Sequence, residues 1–187
     1  MSKRIFIAIN LPLEIKKQLL AYKDQWPELP ARWVKVENLH LTLAFLGYVK
    51  DEKLPEVIEI VHKVASQHHP FTIHLTKIIY APPDKVPPRM VWALGEKSEE
   101  LTTLYNDLQR ALQQYNFRTE TRELTPHITL ARIRTFAWRK MDLEERPQID
   151  EEIDFSFEVN SIEVMESKLK REGAEYTVIE ACDLGDI

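Results

Sequence analysis

The order of predicted strands and helices is the same in the two halves of this 187-residue sequence, and this repeat limits the folds that the chain can adopt. The first half has three predicted strands separated by two helices, at 3–9, 12–25, 40–46, 51–66 and 71–80. The second half repeats that order at 90–95, 98–115, 127–133, 138–145 and 155–165, and a last strand is predicted at 175–182. This pattern predicts an α+β protein built by internal duplication, with lobes at about 1–81 and 89–187 whose terminal strands can interleave. The proline-rich stretch 82–88 is predicted to be the stiff connection between them.

One strand in each half has the form His-x-Thr-Leu, at His40 and at His127. Side chains alternate along a strand, so each histidine shares a face with the threonine two residues later, Thr42 or Thr129. A duplicated fold that joins the two strands would gather two imidazoles and two hydroxyls at one cleft. One neutral histidine could then deprotonate a water while one protonated histidine protonates a leaving oxygen, with the threonines binding phosphoryl oxygens.

His-x-Thr alone is a weak motif, and the sequence contains a third copy at His74. That copy lies in a segment where apolar and polar residues alternate, which is typical of a strand with one solvated face. We therefore interpret His74 as structural. His40 and His127 differ from it because they occupy equivalent positions in the repeat, although satisfied strand histidines are the alternative interpretation for both.

Charge and cysteine content limit the functional class. The net charge of −5 argues against a protein that coats nucleic acid without specificity. Residues 110–140 nevertheless hold seven basic side chains against two acidic ones, which predicts either solvated surface or a basic rim around an anionic substrate. With one cysteine, no apolar stretch long enough for a membrane span and no signal-like start, we expect a cytoplasmic protein without a membrane partner.

At these residues the sequence resembles the 2H phosphoesterase superfamily, in its RNA 2',3'-cyclic phosphodiesterase branch, also called 2'-5' RNA ligase or LigT-like. The two motifs read NLHLTLAFLG at 38–47 and TPHITLAR at 125–132. Further matching stretches are 4–12, 89–92 and 161–169, followed by Gly173, Tyr176 and Thr177. The resemblance thus covers nearly the whole chain, and no histidine or threonine position of the motifs departs from it.

The resemblance implies a bilobal LigT-like fold with two antiparallel sheets facing a central cleft and helices outside. It implies a metal-independent hydrolase that needs no cofactor and opens an RNA 2',3'-cyclic phosphate to a 2'-phosphate. By analogy His40 is assigned as general acid and His127 as general base, with Thr42 and Thr129 as further catalytic residues. Reversal with a 5'-hydroxyl in place of water would give ATP-independent 2'-5' ligation. The expected partner is an RNA with a cyclic phosphate end, tRNA fragments included, or a small cyclic nucleotide, bound by a monomer.

The family also uses the residue five positions after each histidine, here Phe45 and Arg132. Strict alternation would place both on the opposite face, so we predict a bend or bulge that turns them towards the cleft. Arg132 would then bind a phosphate and Phe45 a base or ribose. Alternation alone favours a core position for Phe45. The side chains at Arg32, Trp33, Lys35 and Arg89 are candidates for the rim, whereas Trp92, Leu43 and Leu130 are predicted to lie in the core.

Three alternatives stay open at this point. A cyclic phosphodiesterase could act on small nucleotides, cyclic ADP-ribose phosphate or 2'-5' oligonucleotides. A non-catalytic protein could bind RNA ends, although binding alone does not need a paired acid and base. A metallohydrolase could use the histidines as ligands, but the sequence has no His-x-His or His-Glu-x-x-His pattern.

Overall fold

The computed structural model describes residues 1–171 and 173–185. This part of the chain contains strands, α-helices and short 3₁₀ turns. The elements are β1 (Ser2–Asn10), α1 (Leu13–Ala21), β2 (Ala31–Trp33), β3 (His40–Lys50), α2 (Leu54–Ala65), β4 (Phe71–Ala81), β5 (Met90–Gly95), α3 (Glu99–Gln114), β6 (His127–Ile133), α4 (Thr135–Lys140), β7 (Asp150–Val159), β8 (Ser161–Lys170) and β9 (Gly173–Asp183).

The strands form one antiparallel sheet in the order β7-β4-β5-β6-β3-β1-β8-β9, and the short β2 pairs with the outer part of β6. Two four-stranded halves meet at the centre, where β3 and β6 pair through Leu41 and Ile128. Each of these two residues directly follows a motif histidine. The two motif strands are therefore antiparallel neighbours, and the predicted α+β class with antiparallel strands is confirmed. The two sheets expected from the resemblance are joined at this pair into one sheet.

Each half of the sheet contains strands from both halves of the sequence. The C-terminal strands β8 and β9 extend the half that contains β1 and β3, whereas β4 lies between β5 and β7 in the other half. Short connections favour this arrangement, because β4 and β5 are consecutive in the sequence and pair as antiparallel neighbours. The lobe boundaries at about 1–81 and 89–187 stay a prediction.

Three assignments made from the sequence pattern are corrected by the structure. The predicted strand at 155–165 is two strands, β7 and β8, which are separated at Asn160. The predicted helix at 138–145 is instead α4 over 135–140, followed by a 3₁₀ turn at 143–145. The three-residue strand β2 was not predicted, because a run that short carries no measurable periodicity.

The core lies under the sheet, against α2 and α3. The leucine stripe predicted for α3 is fully buried, at Leu101, Leu104, Leu108 and Leu112. The hydroxyl of Ser98 caps this helix by accepting a hydrogen bond from the amide of Leu101 at 3.1 Å. Burial of each such side chain contributes about 1.5–3 kcal/mol, so the two helices hold the strands firmly from behind.

Strand β1 is buried on both faces. Ile5, Ile7 and Ile9 pack into the main core, whereas Phe6 and Ala8 belong to a small cluster on the opposite face with Met165 and Tyr176. This double burial explains why residues 5–9 form a continuous apolar run instead of an alternating one. It also brings aromatic side chains to the face on which the motif histidines lie.

Candidate active site

Both motif strands contain the predicted bulge. The register of β3 with β1 shifts at Leu43, and the register of β6 with β5 shifts at Leu130. Each bulge places two buried residues in succession, which resets the alternation of side chains. Phe45 and Arg132 are consequently exposed on the same face as the histidines, and both line the cleft. The prediction of a core position for Phe45 by alternation is wrong for this reason.

His40 is fixed on both ring nitrogens. Its Nδ1–H donates to the carbonyl oxygen of Asn38 at 2.6 Å, and Nε2 lies 3.0 Å from the Thr42 hydroxyl. The rings of Phe6 and Tyr176 lie 5.0 and 5.2 Å from the imidazole, centre to centre. Burial by these neighbours lowers the pKa of His40 from 6.5 to about 4. The imidazole is therefore neutral in the free protein, with its Nε2 lone pair directed at the threonine hydroxyl.

His127 is held in an equivalent but less enclosed way. Its Nδ1–H donates to the carbonyl oxygen of Thr125 at 2.7 Å, two residues earlier, as in the first motif. The indole of Trp92 stacks on the imidazole with the ring centres 3.8 Å apart and the planes inclined by 22°. Burial again lowers the pKa of His127, while the carbonyl hydrogen bond opposes that effect. Both histidines thus use Nδ1 for orientation, and Nε2 is the nitrogen left for proton transfer, beside the Thr42 hydroxyl in the case of His40.

The two histidines and two threonines of the motifs line a single cleft of about 490 Å³. That volume suits a nucleotide-sized ligand. One wall of the cleft is the loop after α3, with Glu120, Arg122 and Glu123 among its residues. The buried side chain of Gln109 joins this loop to the first bulge, because its amide donates to the carbonyl oxygen of Leu43 and its oxygen accepts from the amide of Glu120, both at 2.9 Å.

A buried pair of charged side chains lies beside His40. Lys16 and Glu163 are only 5% and 7% exposed. The Lys16 ammonium donates to the carbonyl oxygen of Glu37 at 3.3 Å, and Glu163 accepts from the amide of Asn10, the cross-strand partner of His40. Burial lowers the pKa of Lys16 and raises the pKa of Glu163, and the attraction between the two charges opposes both effects. The Lys16 charge is also one of the causes that lower the pKa of His40.

His74 provides the internal comparison. The strand β4 that carries it alternates between buried and exposed residues from Phe71 to Thr76, as predicted. His74 is exposed and lies outside the residues that line the cleft. The same three-residue pattern therefore has a different environment at this position.

The rim candidates divide into two groups. Arg32, Trp33 and Lys35 line a smaller cavity that opens beside the cleft. Arg89 is not among the described residues that line either cavity. Leu43 and Leu130 are in the core as predicted, at 2% and 0% exposure.

Several residues of the site were not identified from the sequence. Trp92 was predicted to be core, but it is half-buried and stacks on His127. Tyr176 is one of the C-terminal positions that match the family. This match is the only sign of its importance in the sequence, and it does not indicate a role. Asn38 and Thr125 act through backbone carbonyls, which leave no side-chain signature. Lys16 lies within the predicted helix 12–25, where a lysine carries no signal for the site.

The described residues contain neither a candidate metal cluster nor a candidate membrane span. Within 1–171 and 173–185, no three or more His, Cys, Asp or Glu side chains are grouped so that they could hold a metal ion. No helix in these same ranges combines the length and the apolar character needed to cross a membrane.

The fold and the paired motifs define a two-histidine class of protein, and sequence comparison specifies the family. The chain matches the LigT like Phosphoesterase family over residues 9–92 and 94–176, and these stretches contain the His40 motif and the His127 motif, respectively. The chain therefore belongs to the LigT-like phosphoesterases, and the membership predicted from the motifs is confirmed.

Related proteins are found both by sequence and by structure. An RNA 2',3'-cyclic phosphodiesterase of Methanocaldococcus jannaschii is 32% identical over 177 residues, which cover 94% of this chain and 98% of that protein. A protein with the same name from Thermotoga maritima is 31% identical over 186 residues, which cover 96% of this chain and 94% of that protein. The crystal structure of Escherichia coli LigT complexed with 3'-AMP superimposes with a TM-score of 0.79 at 26% identity, covering 100% of both chains. A crystal structure of a Thermus thermophilus protein superimposes with a TM-score of 0.82 at 28% identity, covering 98% of this chain and 100% of that one.

Proposed function

We propose that this protein hydrolyses a terminal 2',3'-cyclic phosphate on RNA to a 2'-phosphate, with His127 as general base and His40 as general acid. The observation that carries the proposal is the placement of both His-x-Thr pairs on one face of one cleft. The names of the M. jannaschii and T. maritima relatives support the substrate. The buried, unpaired Cys182 is compatible with the reducing cytoplasm, where we expect the enzyme to act.

In the proposed reaction, Nε2 of His127 takes a proton from water as the water oxygen bonds to phosphorus. The bond from phosphorus to O3' breaks, and protonated Nε2 of His40 gives its proton to O3'. The products are a 2'-phosphate monoester and a free 3'-hydroxyl. Thr42 and Thr129 donate hydrogen bonds to the non-bridging oxygens, and Arg132 neutralises part of their charge. The two histidines end in exchanged protonation states and return to the starting states by proton exchange with solvent.

The low pKa of His40 makes its protonation a step that the substrate must assist. With a pKa of about 4, this imidazole is neutral near pH 7 in the free protein. An anionic phosphate beside Nε2 favours the imidazolium, because opposite charges stabilise each other strongly in a site with little water. The tautomer fixed by the Asn38 carbonyl leaves Nε2 as the nitrogen that takes up this proton.

The test is to incubate the protein, with EDTA present, with a short RNA ending in a 2',3'-cyclic phosphate and to identify the product. We expect a 2'-phosphate. His40→Ala and His127→Ala should each lower kcat by about 10²–10⁴, whereas His74→Ala is the matched control on an exposed strand face and should retain full turnover. A 3'-phosphate product would reverse the proposed leaving oxygen. Near-full activity in either active-site variant would remove that histidine from its role.

The assignment of acid and base has its own test. A cyclic substrate with sulfur in place of the bridging O3' has a leaving group that departs without protonation. It should restore much of the turnover of His40→Ala and little of that of His127→Ala. Restoration of turnover in His127→Ala alone would mean that His127 is the general acid and His40 the general base.

A small cyclic nucleotide is the second candidate substrate. It is favoured by one observation, the 3'-AMP complex of the similar E. coli LigT, since the cleft here is also nucleotide-sized. A comparison of kcat/KM for a cyclic mononucleotide and a cyclic-ended RNA separates the two. Higher kcat/KM for the mononucleotide would favour this alternative.

A further inference from the structure

A second cavity continues from the cleft on the side of β2. It has a volume of about 200 Å³, and we call it the basic groove. Its lining residues are Arg32, Trp33, Val34, Lys35, Asn38, Arg132, Gly173, Ala174 and Tyr176. Val34, Asn38, Arg132 and Tyr176 also line the cleft, so the two cavities share one boundary and a ligand can extend from one into the other.

The charges on the two sides of the cleft differ in sign. Three basic side chains line the groove, Arg32, Lys35 and Arg132, and no acidic residue is among its described lining. The loop after α3, which lines the cleft but not the groove, contributes Glu120 and Glu123 against the single cation Arg122. A polyanionic strand that has its end in the cleft is therefore attracted more strongly towards the groove than towards this loop.

The backbone places the groove cations in a fixed arrangement. Arg32 of β2 and Arg132 of β6 are direct cross-strand partners, so their side chains lie on the same face of the sheet. The amide of Val34 continues this pairing by donating to the carbonyl of Leu130, the bulge residue, at 2.9 Å. The positions of the groove cations are thus coupled to the bulge that also turns Arg132 into the cleft.

Gly173 completes the floor of the groove at the start of β9. It has a φ of +126°, a region that side chains disfavour, and the Arg32 guanidinium lies directly against its backbone. A Cβ at this position would collide with the guanidinium. The turn therefore accommodates an arginine beside the cleft, at a point where any other residue would displace it.

Tyr176 stands at the boundary of the two cavities. Its ring is edge-on to His40 at 5.2 Å and to Phe6 at 5.0 Å, which leaves it half-buried with one part facing the ligand space. An aromatic ring at such a junction can contact a base or ribose next to the reacting nucleotide.

We propose that the basic groove binds the phosphodiester and nucleotide that precede the cyclic phosphate end, so that the substrate is an RNA strand and not a mononucleotide. This inference rests on the proposed function and specifies its substrate. Lys35 binds the phosphodiester that precedes the terminal nucleotide, Arg132 lies between that phosphate and the reacting one, and Tyr176 contacts the sugar or base between them.

The experiment compares kcat/KM for a cyclic-ended tetranucleotide and for a 2',3'-cyclic mononucleotide across salt concentrations. We expect the wild-type protein to prefer the tetranucleotide and to show a steeper salt dependence with it. Lys35→Gln should lower kcat/KM several-fold more for the tetranucleotide than for the mononucleotide, and it should reduce the log–log salt slope for the tetranucleotide by about 0.7, the value for one lost phosphate contact in a single strand. Lys35→Arg should restore both. Lys63→Gln, the same change on an exposed lysine of a separate cavity along α2, should alter neither substrate.

Each outcome bears on the groove or on the reaction separately. Equal kcat/KM and equal salt slopes for the two substrates in the wild-type protein would refute the proposed role of the groove. The proposed cyclic phosphodiesterase activity would then still stand. A Lys35→Gln effect that is the same for both substrates would also overturn it. If neither substrate is turned over, the proposed function fails. In that case, fluorescence anisotropy with a 2'-phosphorylated tetranucleotide tests the groove alone, because unchanged affinity in Lys35→Gln refutes it and weaker affinity with a reduced salt slope supports it.

Discussion

The burial of His40 should make the stability of the protein depend on pH in a way that one substitution removes. The pKa of this imidazole falls from 6.5 in an open chain to about 4 in the folded protein, chiefly because burial disfavours the charged ring. Each unit of pKa difference corresponds to 1.36 kcal/mol, so protonation of the folded state is less favourable by about 3 kcal/mol. That is a large share of the 5–15 kcal/mol that stabilises a typical domain.

The direction of this pH dependence follows from which state, folded or unfolded, binds the proton more readily. Between pH 6.5 and pH 4 the imidazole is protonated in the unfolded chain and neutral in the folded one. The free energy of unfolding therefore falls as the pH is lowered through this window, and above pH 6.5 the group has no such effect. Replacing His40 by Gln removes the titration while keeping an uncharged polar side chain at this position.

Urea unfolding of the wild-type protein and of His40→Gln from pH 7.5 to pH 4 measures this effect. We expect the difference in unfolding free energy between the two to change by about 3 kcal/mol in favour of the variant on going to pH 4. The same substitution at the exposed His74 controls for the general loss of an imidazole. Parallel curves for wild type and His40→Gln over the whole range would refute the argument that burial keeps His40 neutral.

Three further outcomes are expected. The kcat/KM profile should be bell-shaped with its maximum below pH 6.5, because burial lowers the pKa of both His40 and His127; a flat profile from pH 4 to 9 would contradict this. Trp92→Leu should lower kcat by up to about 10²-fold without unfolding, since the imidazole of His127 loses its stacking partner; circular dichroism and initial rates measure both. Gln109→Leu should cost about 1–3 kcal/mol in urea unfolding for each group left unpaired, including the carbonyl of Leu43, and an unchanged midpoint would contradict this.

Local patterns predicted the parts of the fold and site that depend on neighbouring residues in sequence. The alternation in β4 and the leucine stripe of α3 are periodic, so both elements and the exposure of His74 could be read directly. The resemblance predicted the bulges, because the family uses the residue five positions after each histidine, here Phe45 and Arg132, which alternation would turn away from the cleft. Confirmation of the bulges shows that the family pattern, together with the matching positions in both strands, indicates a backbone irregularity that alternation alone would miss.

The remaining parts depend on contacts between distant parts of the chain. The side chain of Asn38 donates to the carbonyl of Ala174, 136 residues away, and this joins the first motif to β9 and to Tyr176. Glu163 reaches the amide of Asn10 across 153 residues. No periodicity or spacing encodes such pairs, since each partner alone has an ordinary local pattern. The break between β7 and β8 was missed because residues 155–165 keep a high strand propensity on both sides of Asn160.

The difference between the two motif histidines follows from these distant contacts. The local sequence gives both imidazoles the same carbonyl acceptor two residues earlier, so their tautomers match. Only His40 is enclosed by β1 and β9, through Phe6 and Tyr176, whereas His127 meets the indole of Trp92 from the neighbouring β5. A duplicated motif thus becomes asymmetric through the strands that cover each copy. Because a general acid and a general base need different environments, this asymmetry supports the proposal that the two copies of the motif have different chemical roles.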